Sequence, residues 1–268
     1  MDIQSTLHLR TGSSMPVAGL GTWQLRQDTA GVVAEALRLG YRMIDTAADY
    51  HTQPGIGEGI RRSGLDRRDV YVVTKVEENE DAYAGACRNL RELGLDFVDL
   101  TLIHRPPPGG AGGELWAGLI RARNDGLTRD IGVSNYTIGQ IDELIDTTGE
   151  TPVVNQIEWT PFGWSADMLD SCRARGIVIQ AYSPLTRAER LDDRRLVEIA
   201  GDYGKTPAQL LLRWNLTHGV VPLPKANRLH HLRENLGAFD FDISEAHMAE
   251  LNAFGEDWSA LGRSPQYL

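Results

Sequence analysis

Cysteine is scarce: Cys87 and Cys172 are the only two, far apart and without a CxxC spacing. That excludes a disulfide framework and a thiolate zinc site, and leaves two reduced thiols that pack. Long apolar runs are missing too. No stretch approaches the roughly 18 residues of a spanning helix, and residues 1–15 hold no hydrophobic signal segment, so a cytoplasmic protein is expected. Positive charge is in deficit, with 27 basic against 37 acidic side chains giving a formal net charge of −10. This argues against nucleic-acid and anionic-membrane partners, while a small basic pocket stays compatible. Low-complexity tracts and Pro/Ser-rich linkers are absent, and the densest Pro/Gly stretch, 106–113, is too short to separate domains. The 268 residues, 41% hydrophobic, therefore read as one domain over 1–268 that buries about three quarters of its unfolded surface.

What is present is a rhythm. Eight short strand-like runs recur, at 17–20, 43–45, 70–74, 98–104, 131–133, 153–157, 177–182 and 220–223. Several lack the alternation of a half-exposed strand, as expected where both faces are covered, and helical periodicity fills the gaps between them. In 28–40, Asp28 can cap the start, Val32 pairs with Ala36 and Val33 with Leu37, and Gly40 can take a left-handed closing position. Similar amphipathic stretches cover 82–93, 115–123, 138–145, 166–175 and 207–216. The near-even spacing of the first four strand starts favours an α/β fold of the (β/α)8 TIM-barrel type over an open doubly wound sheet. Residues 7–10, a turn at 11–14 and a return from Met15 read as an N-terminal β-hairpin at the barrel floor. Four polar residues, Asp45, Tyr50, Lys75 and His104, stand just past or at the ends of strand-like runs. In a closed barrel such ends converge on one mouth.

The strings GLGTWQ (19–24), DTAADY (45–50), VVTK (72–75), LIH (102–104), IGVSNY (131–136), NQIEW (155–159) and AYSPL (181–185) stand in one order, followed by the segment from Pro224-Lys225 to Glu234-Asn235. In that order the chain resembles the aldo-keto reductases over nearly its whole length, and its compactness is similar to bacterial diketogulonate-reductase-like members. The resemblance implies reduction of aldehydes and ketones by a nicotinamide cofactor, with Asp45, Tyr50, Lys75 and His104 as the catalytic tetrad. Chemistry gives each a reason. Hydride addition to a carbonyl leaves an alkoxide that needs a proton, which Tyr50 can supply. An ammonium nearby, Lys75, should lower the phenol's pKa from about 10, and Asp45 should keep that ammonium charged and oriented. His104 can donate a hydrogen bond to the substrate oxygen. Two other readings stay open: a barrel that holds cofactor as a redox-responsive subunit, and a lyase or isomerase using Lys75 as a Schiff base.

Gly19-Leu20-Gly21 has Gln24 where a Rossmann fingerprint needs its third glycine, so the cofactor must bind otherwise. The resemblance places it against Gly21, Thr22, Asp45, Ser134, Asn135, Gln156, Tyr182, Ser183, Lys225 and Asn235. Tyr182 would stack on the nicotinamide, while Ser134, Asn135 and Gln156 would hold its carboxamide. Lys225 and the following helix start suit the extra phosphate of NADP. The family's usual arginine for that phosphate aligns with His231, with Arg228 one turn earlier able to compensate, so NADPH is expected to be preferred over NADH by a reduced margin. His230 and His231 face different directions on a helix, and no metal is expected.

Substrate contacts are expected from Trp23, Tyr50, His104 and Arg105, with Trp159 and Trp258 as further walls and the tail, 257–268, as a flap. Arg105 stands where the family has tryptophan, and is expected either to favour anionic or polyhydroxylated carbonyls or to be a solvated rim cation. The run His51-Thr52-Gln53-Pro54 is a second departure, at the start of the next helix. A monomer acting on a small carbonyl compound is the overall expectation.

Overall fold

The computed structural model describes residues 1–25, 27–262 and 267. Strands β1 (Thr6–His8) and β2 (Ser14–Pro16) form an antiparallel hairpin. Eight parallel strands follow: β3 (Leu20–Gly21), β4 (Met43–Asp45), β5 (Tyr71–Val76), β6 (Val98–Ile103), β7 (Thr128–Ser134), β8 (Val154–Glu158), β9 (Val178–Tyr182) and β10 (Val221–Pro222), each bonded to its sequence neighbour. The helices between and after them are α1 (Thr29–Arg38), α2 (Gln53–Ser63), α3 (Ala82–Leu93), α4 (Gly113–Asn124), α5 (Ile138–Thr148), α6 (Ala166–Ala174), α7 (Arg194–Asp202), α8 (Pro207–Thr217), α9 (Leu229–Leu236) and α10 (Glu245–Asn252).

The sheet closes on itself. Gly19 N donates to Pro222 O and Gly21 N to Pro224 O, both at 3.1 Å, and Gly21 pairs with Lys225 in a parallel bridge. A Cβ on Gly21 would sit 2.6 Å from the Leu223 carbonyl oxygen, so this seam needs glycine. The eightfold barrel expected from the rhythm of the sequence is the fold found. Its first strand is displaced: Val17 N donates to Ser5 O beside the hairpin, and the barrel strand begins only at Leu20.

Local chemistry sets the helix starts. Asp28 accepts from Gly31 N at the head of α1, and Thr137 with Gln140 and Thr206 with Gln209 form reciprocal caps at α5 and α8. Helices α7 and α10, of nine and eight residues, are additions to the stretches that the sequence periodicity marks. The hairpin does plug the floor: Met15 is fully buried among Met43, Val73, Leu100 and Leu223 inside the barrel. The Thr11 and Ser13 hydroxyls donate to the Asp130 carboxylate and pin the hairpin beneath β7. Among the described residues, no helix is long and apolar enough to cross a membrane.

Candidate active site

Parallel strands in a barrel point their C-terminal ends the same way, and that is where the polar residues gather. Asp45 ends β4, Lys75 lies near the end of β5, His104 follows β6, and Tyr50 ends a short turn, Ala48–Tyr50, after β4. Lys75 Nζ donates to Asp45 Oδ1 and Oδ2 at 2.8 and 3.0 Å and to Thr46 O at 2.8 Å. The Tyr50 ring centroid is 5.0 Å from that ammonium nitrogen and 5.9 Å from the His104 ring, which it meets edge-on. All four residues therefore meet at one place. Lys75 is 0% exposed and each of its three N–H groups has an acceptor, an arrangement unsuited to attacking a carbonyl as a free amine.

Beneath the pair a polar column fills the barrel axis. Gln156 Nε2 donates to Asp45 Oδ1 at 2.8 Å and to Gln180 Oε1 at 2.9 Å, and Gln180 Nε2 reaches the Met15 sulfur at 3.2 Å. Asp45 thus accepts from both Lys75 and Gln156, which offsets the cost of burying its charge. The column links the C-terminal end of the barrel strands to the floor hairpin.

The electrostatics correct one expectation. Burial first, then the Asp45, Asp49 and Glu77 carboxylates, hold the Tyr50 pKa well above the ordinary phenol value, with Arg105 opposing them. The Lys75 ammonium, 5.0 Å from the ring and paired with Asp45, does not outweigh them, so the net direction is up and not down. In the free protein Tyr50 is therefore a neutral phenol, the form that can give up a proton.

His104 has a partner that the sequence reading missed. Its Nδ1 lies 3.0 and 3.1 Å from the two oxygens of Glu77 and 3.8 Å from Asp49 Oδ1. Burial works to raise the Glu77 pKa, but the His104 bond and charge, with Arg105 and Lys75, leave it below the usual carboxylate value. A signal existed: Glu77 is two residues past Lys75, the spacing that returns an extended chain to the same face. Arg105 points along the rim, about half exposed, with Nη1 3.9 Å from Glu78.

A cleft of about 1050 Å³ opens over these residues. Tyr50, His104, Arg105 and Trp23 line it, together with Gly21, Asp45, Ser134, Asn135, Gln156, Tyr182 and Ser183. Lys225, Asn235 and His231, before and on α9, line it too. Two expected cofactor residues are not part of its lining. Thr22 is 0% exposed, its hydroxyl bonded to Asp45 O, so it braces β4 instead. Arg228 caps α9 from outside with extended backbone, exposed and off the cleft wall, so it does not share a helical face with His231. Trp159 is wholly buried against Trp164 and Tyr267, and Trp258 packs on Phe162; neither is a cleft wall. Trp23 is exposed and carries the Arg187 guanidinium 4.3 Å from its ring. Arg187 went unread because its loop, where Ser183, Thr186, Arg187 and Ala188 all have positive φ, shows no pattern in the sequence.

The tail is anchored. Ser259 Oγ and the Ala260 N–H both donate to the Glu158 carboxylate at the end of β8, and Leu261 lines the cleft. Residues 263–266 and 268, part of the expected flap, lie outside the described residues.

The donor set fits a nicotinamide nucleotide. Asn135, in the left-handed conformation at φ 64°, donates to His104 O and accepts from the Tyr182 hydroxyl at 2.8 Å, fixing that ring in the cleft. Ser134 Oγ donates to Gln156 O and both Gln156 N–H groups are bonded within the column, while Gln156 Oε1 takes no protein donor among the described residues. An amide-bearing ring thus finds a fixed aromatic face and an open acceptor, and anionic groups find Lys225 before α9.

The aldo/keto reductase family matches residues 18–256. An aldo-keto reductase of Mycobacterium marinum is 38% identical over 94% of this chain and 92% of that protein. A glyoxal reductase of Bacillus subtilis is 36% identical over 99% of this chain and 98% of its own length. The crystal structure of a Bombyx mori aldo-keto reductase in complex with NADP superimposes with a TM-score of 0.90 at 31% identity, covering 97% of this chain and 95% of that one. Barrel, cleft and kinship thus agree, and the chain belongs to the aldo/keto reductase family of NAD(P)H-dependent oxidoreductases.

Proposed function

We propose that the chain, as a single barrel domain, reduces aldehydes and ketones to alcohols with NADPH, Tyr50 being the proton donor. The observation that carries this reading is the buried Asp45–Lys75 pair set directly against a neutral Tyr50 phenol beside His104 at the cleft. The nicotinamide supplies a hydride to the carbonyl carbon. As the C=O π bond opens, the oxygen takes the Tyr50 proton and the resulting phenolate lies near the Lys75 ammonium, until a proton from water restores it. Gln156 and Lys75 hold Asp45, so the pair keeps its geometry through that change.

For the cofactor, Lys225 and His231 on the cleft wall support NADPH over NADH. The margin is reduced because His231 lacks an arginine's fork and lies 3.4 Å from Glu234. For the substrate, the name of the Bacillus relative supports small aldehydes. Asp49, Glu77 and Glu78 outnumber Arg105 around His104 and support uncharged carbonyls over the carboxylate-bearing ones that Arg105 alone suggested. The test is NADPH oxidation with simple aldehydes by the wild type and by Tyr50→Phe. The substitution should lower kcat by about 10²–10⁴-fold, the usual worth of a general acid, with NADPH binding intact. Unchanged turnover in the variant, or none in the wild type, refutes the reading.

A further inference from the structure

We infer that Glu77 is a positioning residue: it fixes the proton of His104 on Nδ1, so that Nε2 can donate to a carbonyl oxygen only in the doubly protonated imidazolium. This rests on the reductase reading of the cleft and deepens it.

A neutral imidazole carries one N–H, and its other nitrogen is a lone pair. An ionised carboxylate only accepts, and Glu77 offers both oxygens to Nδ1, at 3.0 and 3.1 Å. The single proton of the neutral ring therefore belongs on Nδ1. Nε2 takes no hydrogen bond from protein among the described residues, and His104 lines the cleft, so Nε2 is the atom left for a substrate. In the neutral ring it would turn a lone pair on the carbonyl oxygen, which repels it. A second proton gives the ring an acceptor on each side, Glu77 at Nδ1 and the substrate at Nε2.

The charged and titratable groups around the ring come from four elements. Glu77 follows β5 and Asp49 lies in the turn after β4, at 3.8 Å; Tyr50 meets the ring edge-on. Arg105, next in the chain, is turned toward Glu78, while Lys75 and Asp45 face each other. A positive charge on His104 would thus stand where the alkoxide develops.

The experiment is the pH profile of kcat/KM with NADPH and one neutral aldehyde for the wild type, Glu77→Gln and Glu77→Asp, with nitrogen NMR of the histidine-labelled full chain. In the wild type kcat/KM should fall about tenfold per pH unit on the alkaline side, as one required proton is lost. The neutral His104 ring should report its proton on Nδ1. The glutamine amide can donate or accept, which reopens the Nε2–H tautomer. The alkaline fall in Glu77→Gln should then shrink to about threefold or less over the same range, with Glu77→Asp restoring it. Superimposable profiles for wild type and Glu77→Gln, or a neutral wild-type ring protonated on Nε2, overturns the inference. If Glu77→Gln does not fold, the wild-type NMR spectrum decides alone. Absence of aldehyde reduction in the wild type would sink the reductase reading, and the tautomer would still judge the role of Glu77.

Discussion

At the scale of single residues, the buried ammonium of Lys75 has two duties that can be separated. It is 0% exposed and its charge is matched by Asp45, itself 4% exposed. Replacing Lys75 with Met would leave that carboxylate in the barrel with Gln156 as its remaining donor. Loss of one partner of a buried pair costs about 3–5 kcal/mol, which equilibrium urea denaturation of Lys75→Met should show alongside lost turnover. A variant as stable as the wild type would mean that Asp45 finds compensation elsewhere. The gathering of Asp45, Tyr50, Lys75 and His104 was legible in the sequence because each stands at or shortly after a strand end and sits in a recognisable string. Glu77 was not, because its partner is distant in the chain and only the parallel pairing of β5 with β6 brings their ends together. Trp159 misled for the opposite reason: it also follows a strand, but its side chain is turned outward into the helix layer.

Among elements, α2 shows how close packing can hide from a pattern. Its sequence QPGIGEGIRRS has three glycines, residues that weaken a helix by about 1 kcal/mol each relative to alanine. Space explains them. A Cβ on Gly55 or Gly59 would lie 2.7 Å from Thr29 Cβ or Val33 Cβ on α1, and one on Gly57 would lie 1.8 Å from the Leu93 carbonyl oxygen at the end of α3. Gly57→Ala should therefore destabilise the protein by about 1–3 kcal/mol or more, since backbone has to move. Gly139→Ala in α5, where nothing lies within 4 Å of the added carbon, should stabilise it by about 0.5–1 kcal/mol. Thermal melts of the two variants check both signs together. Strand rhythm made the barrel readable, since buried parallel strands announce themselves as apolar runs. Where helix identity rests on what a neighbouring helix leaves room for, as in α2, one chain segment read alone carries little of it.

At the scale of the whole molecule, the cleft spans from the β3 loop to α9 and the tail, so a ligand filling it ties together both sides of the barrel seam. A cofactor at one hundred times its Kd should add about 2.7 kcal/mol to stability. NADPH should raise the melting temperature more than NADH at equal concentration; an equal or larger shift with NADH would show that Lys225 and His231 do not read the extra phosphate. The anchoring of Ser259 and Ala260 on Glu158, with Leu261 at the cleft edge, has a practical side. An affinity tag placed before Met1 begins near Ile3 and the closing turn of α1, across the barrel from the cleft edge that Leu261 lines. Purification handles belong at the front of this polypeptide if its kinetics are to be those of the untagged enzyme.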